Sequence, residues 1–114
     1  MKQEEKNITQ TPLYKIKRRV SARIKEILKL KSFNKKYKTF EIVGCTPQEL
    51  KEYLEKQFTI GMSWENHGQF GWHIDHIIPL DSGITEDEIY KLCHYTNLQP
   101  LWWEENLEKS NKIL

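Results

Sequence analysis

The segment Trp72-His73-Ile74-Asp75-His76-Ile77-Ile78-Pro79 constrains this chain more than any other stretch. Apolar and polar residues alternate along it, β-branched residues are frequent, and Pro79 cannot donate to a ladder, so it reads as a strand that stops at 79. Alternation puts Trp72, Ile74 and His76 on one side and His73, Asp75 and Ile77 on the other. A strand needs a partner, and Tyr95 to Leu101 reads as the returning strand of a hairpin, ended by Pro100. Between the two, Thr85-Glu86-Asp87-Glu88 is a capping box that opens a helix of roughly 86–94 with Ile89, Leu92 and Cys93 on its apolar side. Trp103 to Lys112 is the final helix. Strand, short helix, strand and helix make this part of the chain α+β.

Upstream, Leu13, Ile16, Val20, Ile24, Ile27 and Leu28 recur at spacings of three and four, with Lys15, Lys17, Arg18, Arg19, Lys25 and Lys29 mostly elsewhere on the wheel. The spacing predicts an amphipathic basic helix of roughly 12–30, with Pro12 suited to its first turn. Lys31 to Lys38 is a basic connector, and Thr39 to Gly44 fits either a strand or a helical turn. Thr46-Pro47-Gln48-Glu49 is another capping box, predicting a helix of about 47–58 with Leu50, Tyr53, Leu54 and Phe58 inward. Gly61 to Gly71 reads as an ordered loop leading into the strand. Residues 1–10 are polar and expected to fray.

At 114 residues the chain is expected to form one small domain with an appendage. Trp64, Trp72, Trp102 and Trp103 are many large rings for so short a chain and are expected in the core, where they offset its small size. Cys45 and Cys93 stand far apart with no CxxC pair, which argues against a disulfide framework or a four-cysteine zinc site and for two buried thiols. No stretch approaches the roughly 20 apolar residues of a membrane span and no apolar leader begins the chain, so a soluble, cytoplasmic protein is expected.

The net charge of +2 hides a split along the chain. Residues 1–40 carry thirteen Lys and Arg against three acids, and residues 41–114 carry five against thirteen. A solvated face is one reading of such a basic run; beside a phosphodiesterase site, a polyanionic partner is the better one. Division at this boundary gives a basic helical DNA-binding extension, 1–38, and a catalytic unit, 39–114, with Arg18, Arg19 and Arg23 as candidate phosphate contacts.

Asp75 beside His76, with Asn106 on a later helix, is the pattern that metal-assisted phosphodiester cleavage requires: an ion binds phosphate while a base activates water. A carboxylate and an amide oxygen are hard donors, suited to one Mg²⁺ or Mn²⁺ that keeps waters and open positions. His76 cannot serve the same ion efficiently, because adjacent strand residues point to opposite faces unless a bend intervenes. His73 shares Asp75's face; it reads equally as a third ligand, a phosphate contact or a hydrogen-bonded structural histidine. His67 and His94 read as structural. Asn97 alone is an ordinary turn amide, and Lys109, three residues from Asn106 on one helical face, is either a phosphate contact or a solvated lysine. No residue declares base-specific readout.

Asp75-His76-Ile77-Ile78-Pro79, then Asn97-Leu98-Gln99-Pro100-Leu101, then Asn106 with Lys109, resembles the HNH endonucleases, notably small phage-type members. Three elements in order are a specific match; an Asp-His pair alone is weak. The resemblance covers about residues 72–112, and Thr39 to Phe58 also looks like the segment that precedes the site in such proteins. It implies a ββα-metal (His-Me finger) fold holding one divalent cation. By it, Asp75 is a metal ligand, His76 the general base, Asn97 the brace of the hairpin loop and Asn106 the second protein ligand. Zinc-stabilised relatives carry CxxC pairs, and where the second pair would fall this chain has Trp102 and Glu105, so no structural zinc is expected. The expected activity is nicking or cutting of duplex DNA, leaving 5′-phosphate and 3′-hydroxyl ends. One site per chain nicks one strand, so double-strand cutting would take a homodimer or two events. Two rivals keep the fold without the chemistry: an inactive DNA-binding module, and a phage packaging accessory whose basic helix binds a protein partner.

Overall fold

The computed structural model describes residues 11–111. Its first element, α1 (Pro12–Leu30), begins where sequence chemistry places it: the Thr11 hydroxyl accepts from the Tyr14 N–H, and Pro12 occupies the first turn. The inward stripe Ile16, Val20, Ile24, Ile27 and Leu28 is buried in the main core. α2 (Thr39–Val43) resolves the ambiguous segment as a short helix, closed by Gly44 in the left-handed region at φ 87°. A β-carbon at Gly44 would also stand 2.5 Å from His94 Nε2, so two independent constraints hold that glycine.

α3 (Pro47–Glu55) carries the expected reciprocal cap, with Thr46 Oγ1 accepting from Glu49 N–H and the Glu49 carboxylate accepting from Thr46 N–H. It ends at 55, three residues earlier than expected, in a turn that places Phe58 against Trp64 and Trp72. α4 (Glu86–Leu92) repeats the device through Thr85 and Glu88 and stops two residues before the expected 94. The last helix, α5 (Trp103–Asn111), starts where expected, and Lys112 lies outside the described residues.

β1 (Trp72–His76) and β2 (Leu98–Trp102) form a two-stranded antiparallel sheet in the register Trp72 to Trp102, Ile74 to Pro100 and His76 to Leu98. The first strand starts at the expected Trp72 but ends three residues early, and the second is displaced. β1 leaves the ladder at His76, and Tyr95–Asn97 is a single 3-10 turn, with β2 beginning only at Leu98. Pro100 lies inside β2 instead of ending it. In a sheet of two strands alternate N–H groups face outward, so a residue without one is tolerated there.

The chain is α+β. α3 packs on β2, α1 lies across α2 and α3, and α5 contacts both strands. α1 is therefore built into the same core as residues 39–111, with Leu50, Leu54, Leu80, Ile89 and Leu98 in the one cluster. Of the four tryptophans expected in the core only Trp72 is fully buried, its indole N–H donating to Ser63 O at 2.7 Å. Trp64, Trp102 and Trp103 are half-buried; Trp102 lies over Gly61 and Trp103 meets Phe70 edge-on. Cys93 is buried and Cys45 half-buried, both as free thiols. None of the described helices is long and apolar enough to cross a membrane.

Candidate active site

β1 and α5 bring the predicted residues together from opposite ends of the motif. Alternation sends His73 and Asp75 toward α5, where Asn106 and Lys109 lie one turn apart. The Asp75 carboxylate is buried, and its Oδ2 accepts from Gln99 Nε2 at 3.0 Å and from Lys109 Nζ at 2.7 Å. Gln99 stands directly opposite Asp75 in the strand register, which explains how it reaches the carboxylate. Lys109 Nζ also donates to the His76 carbonyl at 2.6 Å. The lysine ties the helix to β1 while its side chain stays 32% exposed and lines a cavity beside Asp75.

His73 is held between two partners. Its Nε2 lies 3.1 Å from the Gln69 carbonyl, which can only accept, so Nε2 carries the proton. Nδ1 then presents a lone pair, and Asn106 Nδ2 donates to it at 3.1 Å. A histidine that gives its other ring proton to a backbone carbonyl is oriented as metal-binding histidines are.

Among the described residues no three His, Cys, Asp or Glu side chains gather closely enough to hold a metal ion by themselves. Asp75 and Asn106 line one cavity and offer a carboxylate and an amide oxygen, hard donors that fit Mg²⁺ or Mn²⁺ with waters in the remaining positions, whereas the His73 lone pair would have to be released by Asn106 Nδ2 before it could serve as a third donor. Both hydrogen bonds to Asp75 fall on Oδ2, so Oδ1 is the oxygen free to bind a cation.

His76 follows Asp75 on the strand and lines two cavities, one of about 220 Å³ with Arg19, Arg23, His67, His73 and Asn106, and a second of about 400 Å³ with Arg23, Asp75, Asn106 and Lys109. Burial, and then the Arg23 charge, push its pKa down to about 4, against the opposing pull of Asp75. Near neutral pH it is an uncharged imidazole, able to accept a proton.

Asn97 sits at the turn before β2. Its Oδ1 accepts from Ile78 N–H at 2.9 Å, and its Nδ2 donates to the carbonyls of Ile78 at 3.0 Å and Leu92 at 2.8 Å. One side chain thereby pairs the backbone that β1 leaves unpaired and joins it to the end of α4. Arg23 reaches the site from α1 while keeping an exposed pair with Glu26 at 3.2 Å. Arg19 lines the smaller cavity, and Arg18 is exposed on α1 and lines neither.

Sequence reasoning missed two neighbours of the site. Gln99 was legible in principle, since a hairpin register that pairs Trp72 with Trp102 sets it against Asp75. His67 was not, because no periodicity runs through the loop that buries it. Its ring stacks on Trp72 at 4.3 Å, and Lys15 Nζ donates to its carbonyl at 3.3 Å.

No family model matches the chain, and no solved structure matches it. It is similar to two uncharacterized proteins of Acanthamoeba polyphaga mimivirus. One is 36% identical over 103 residues, covering 89% of this chain and 44% of the relative; the other is 30% identical over 112 residues, covering 90% and 49%. The chain thus spans about half the length of the curated relatives it matches.

Proposed function

We propose that this chain is a metal-dependent endonuclease of the HNH type, hydrolysing DNA phosphodiester bonds with β1, β2 and α5 as a ββα-metal unit. The observation that carries the reading is the division of labour across one strand. Asn106 bonds His73 and lines one cavity with Asp75, and the next residue along the strand, His76, is an uncharged imidazole that lines that same cavity beside Arg23. A donor set and a base on successive residues serve one phosphate from two sides.

In this reading Asp75 and Asn106 hold one Mg²⁺ or Mn²⁺, with His73 as third donor. The ion's contribution is positive charge at the phosphate and at the departing 3′ oxygen. His76 takes the proton from a water whose oxygen bonds to phosphorus. The bond from phosphorus to the 3′ oxygen breaks, leaving a 5′-phosphate and, after protonation, a 3′-hydroxyl. Asn97 holds Ile78 and the start of β2 and so fixes where His76 points, without touching substrate. Arg19, Arg23 and the exposed Arg18 supply attraction to the DNA backbone that tolerates any sequence.

Nicking of supercoiled plasmid in Mg²⁺ or Mn²⁺ tests this. His76→Ala should lower the rate by about two to four orders of magnitude with DNA affinity nearly unchanged. Wild-type protein that binds DNA but leaves the plasmid supercoiled in either metal would overturn the reading.

A further inference from the structure

The cavity of about 220 Å³ between α1 and β1, which His73, His76 and Asn106 also line, holds at its other side a group that the proposed chemistry does not use. His67 is 6% exposed, and its Nδ1 is buried without a hydrogen-bond partner among the described residues. Such an atom carries a desolvation penalty, and buried polar atoms of this kind nearly always have a partner. The ring cannot simply turn outward. It stacks on Trp72 with 20° between the planes and meets Trp64 edge-on, while Lys15 fastens the His67 and Trp64 carbonyls to α1.

The wall facing His67 selects what the cavity can take. Arg19 and Arg23 stand four residues apart on α1, hence on one helical face, and both line it. None of the described lining residues is acidic. Two guanidinium groups, of which only Arg23 has a described carboxylate partner, attract an anion, and their fork geometry suits phosphate oxygens. Burial, and then the charges of Arg19 and Lys15, push the His67 pKa down to about 4, so the ring is neutral and can carry its single proton on Nδ1 as a donor. Arg23's pair with Glu26 is exposed and offers little competition. The volume is several times the roughly 30 Å³ of a water molecule, enough for a phosphate group.

We propose that this cavity is a second phosphate seat, in which Arg19, Arg23 and His67 hold a phosphodiester that neighbours the one cleaved beside His76. The assignment to a neighbouring phosphodiester rests on the endonuclease reading; the anion seat itself does not. It makes α1 one jaw of the substrate cleft, and it gives the buried imidazole a partner when a phosphate group is seated.

The test uses the full chain in EDTA, so that cleavage plays no part. The His67 ring resonances are followed by NMR while either inorganic phosphate or a short DNA duplex is added. Both should shift them, and Arg19→Gln, a change at an exposed position, should weaken each response about tenfold, the scale of one charge-assisted hydrogen bond. His67→Phe, which keeps the stack on Trp72, should weaken duplex binding by a similar factor. A shift with duplex alone supports a phosphodiester set in a strand; a shift with inorganic phosphate alone overturns that assignment in favour of a free-anion site. Ring signals unmoved by either, or an Arg19→Gln protein that responds like wild type, would overturn the seat altogether. A protein that shows both shifts yet never nicks DNA keeps the seat and sinks the nuclease reading, so the two failures are distinguishable.

Discussion

Deleting residues 1–38 is the obvious way to ask whether the basic segment binds DNA, and the structure predicts that it destroys the protein instead. Ile16, Val20, Ile24, Ile27 and Leu28 are at most 7% exposed and belong to the cluster that contains Leu50, Leu54 and Leu98. At about 1.5–3 kcal/mol for each buried aliphatic side chain, α1 contributes on the order of 10 kcal/mol. That matches the whole stability of a small domain, about 5–15 kcal/mol. Residues 39–114 alone should therefore lack a cooperative thermal transition by circular dichroism. Within the full chain, Ile24→Ala should cost about 2–5 kcal/mol in urea unfolding, as other large-to-small core changes do. Replacing the exposed Arg18, Arg19 and Arg23 together with Gln should instead leave stability within about 1 kcal/mol. On the endonuclease reading it also flattens the log-log salt dependence of DNA binding, by about one for each phosphate that the variant no longer neutralises. A 39–114 fragment that melts cooperatively within a few degrees of the full chain would refute the placement of α1 in the core.

Two further outcomes follow from the described hydrogen bonds and burial. Asn97→Ala removes three hydrogen bonds, two of them to exposed backbone that water can reach, so a loss of about 2 kcal/mol is expected in urea unfolding; a change below about 0.5 kcal/mol would mean that the turn holds itself. For His67 the folded pKa of about 4 lies below the ordinary 6.5, so between these values the unfolded chain binds a proton that the folded chain refuses. This contribution is fully present above pH 6.5 and is lost as pH falls toward 4, by about 3 kcal/mol in all. Denaturation at pH 7 and pH 4.5 in wild type and His67→Phe checks it: the variant should lose less stability on acidification, and equal losses would refute the assignment.

The helices were legible because their ends are chemically marked: Thr11 with Pro12, Thr46 with Glu49, and Thr85 with Glu88 each satisfy orphan N–H groups with side chains adjacent in sequence. Strand limits were harder to read. Ile77 and Ile78 keep the alternation of β1 but lie beyond it: Ile77 N–H still donates to the Asn97 carbonyl, and the Asn97 side-chain amide then pairs the Ile78 backbone in place of a strand. Pro100 looked like a terminator because a sequence does not reveal which N–H groups a two-stranded sheet leaves unused. At the site, local spacing put Asn106 and Lys109 on one helical face, but which of them would meet Asp75 depends on how α5 crosses the sheet. The lysine took the carboxylate and the asparagine took His73. His67 was read only as structural; its place beside the site could not be, since its burial is created by Trp64, Trp72 and α1 from three separate segments.

The ion pair between Lys109 and Asp75 gives the sheet a counter-ion of its own. A buried carboxylate without a cation would oppose folding, and here that cation is tethered one helical turn from Asn106. On the endonuclease reading, a divalent ion arriving at Asp75 meets a carboxylate whose charge Lys109 already balances, and it either displaces the ammonium from Oδ2 or shares the carboxylate with it through Oδ1. Metal affinity on that reading is weaker than the donor atoms alone would give, and the sheet can assemble without an ion to neutralise Asp75.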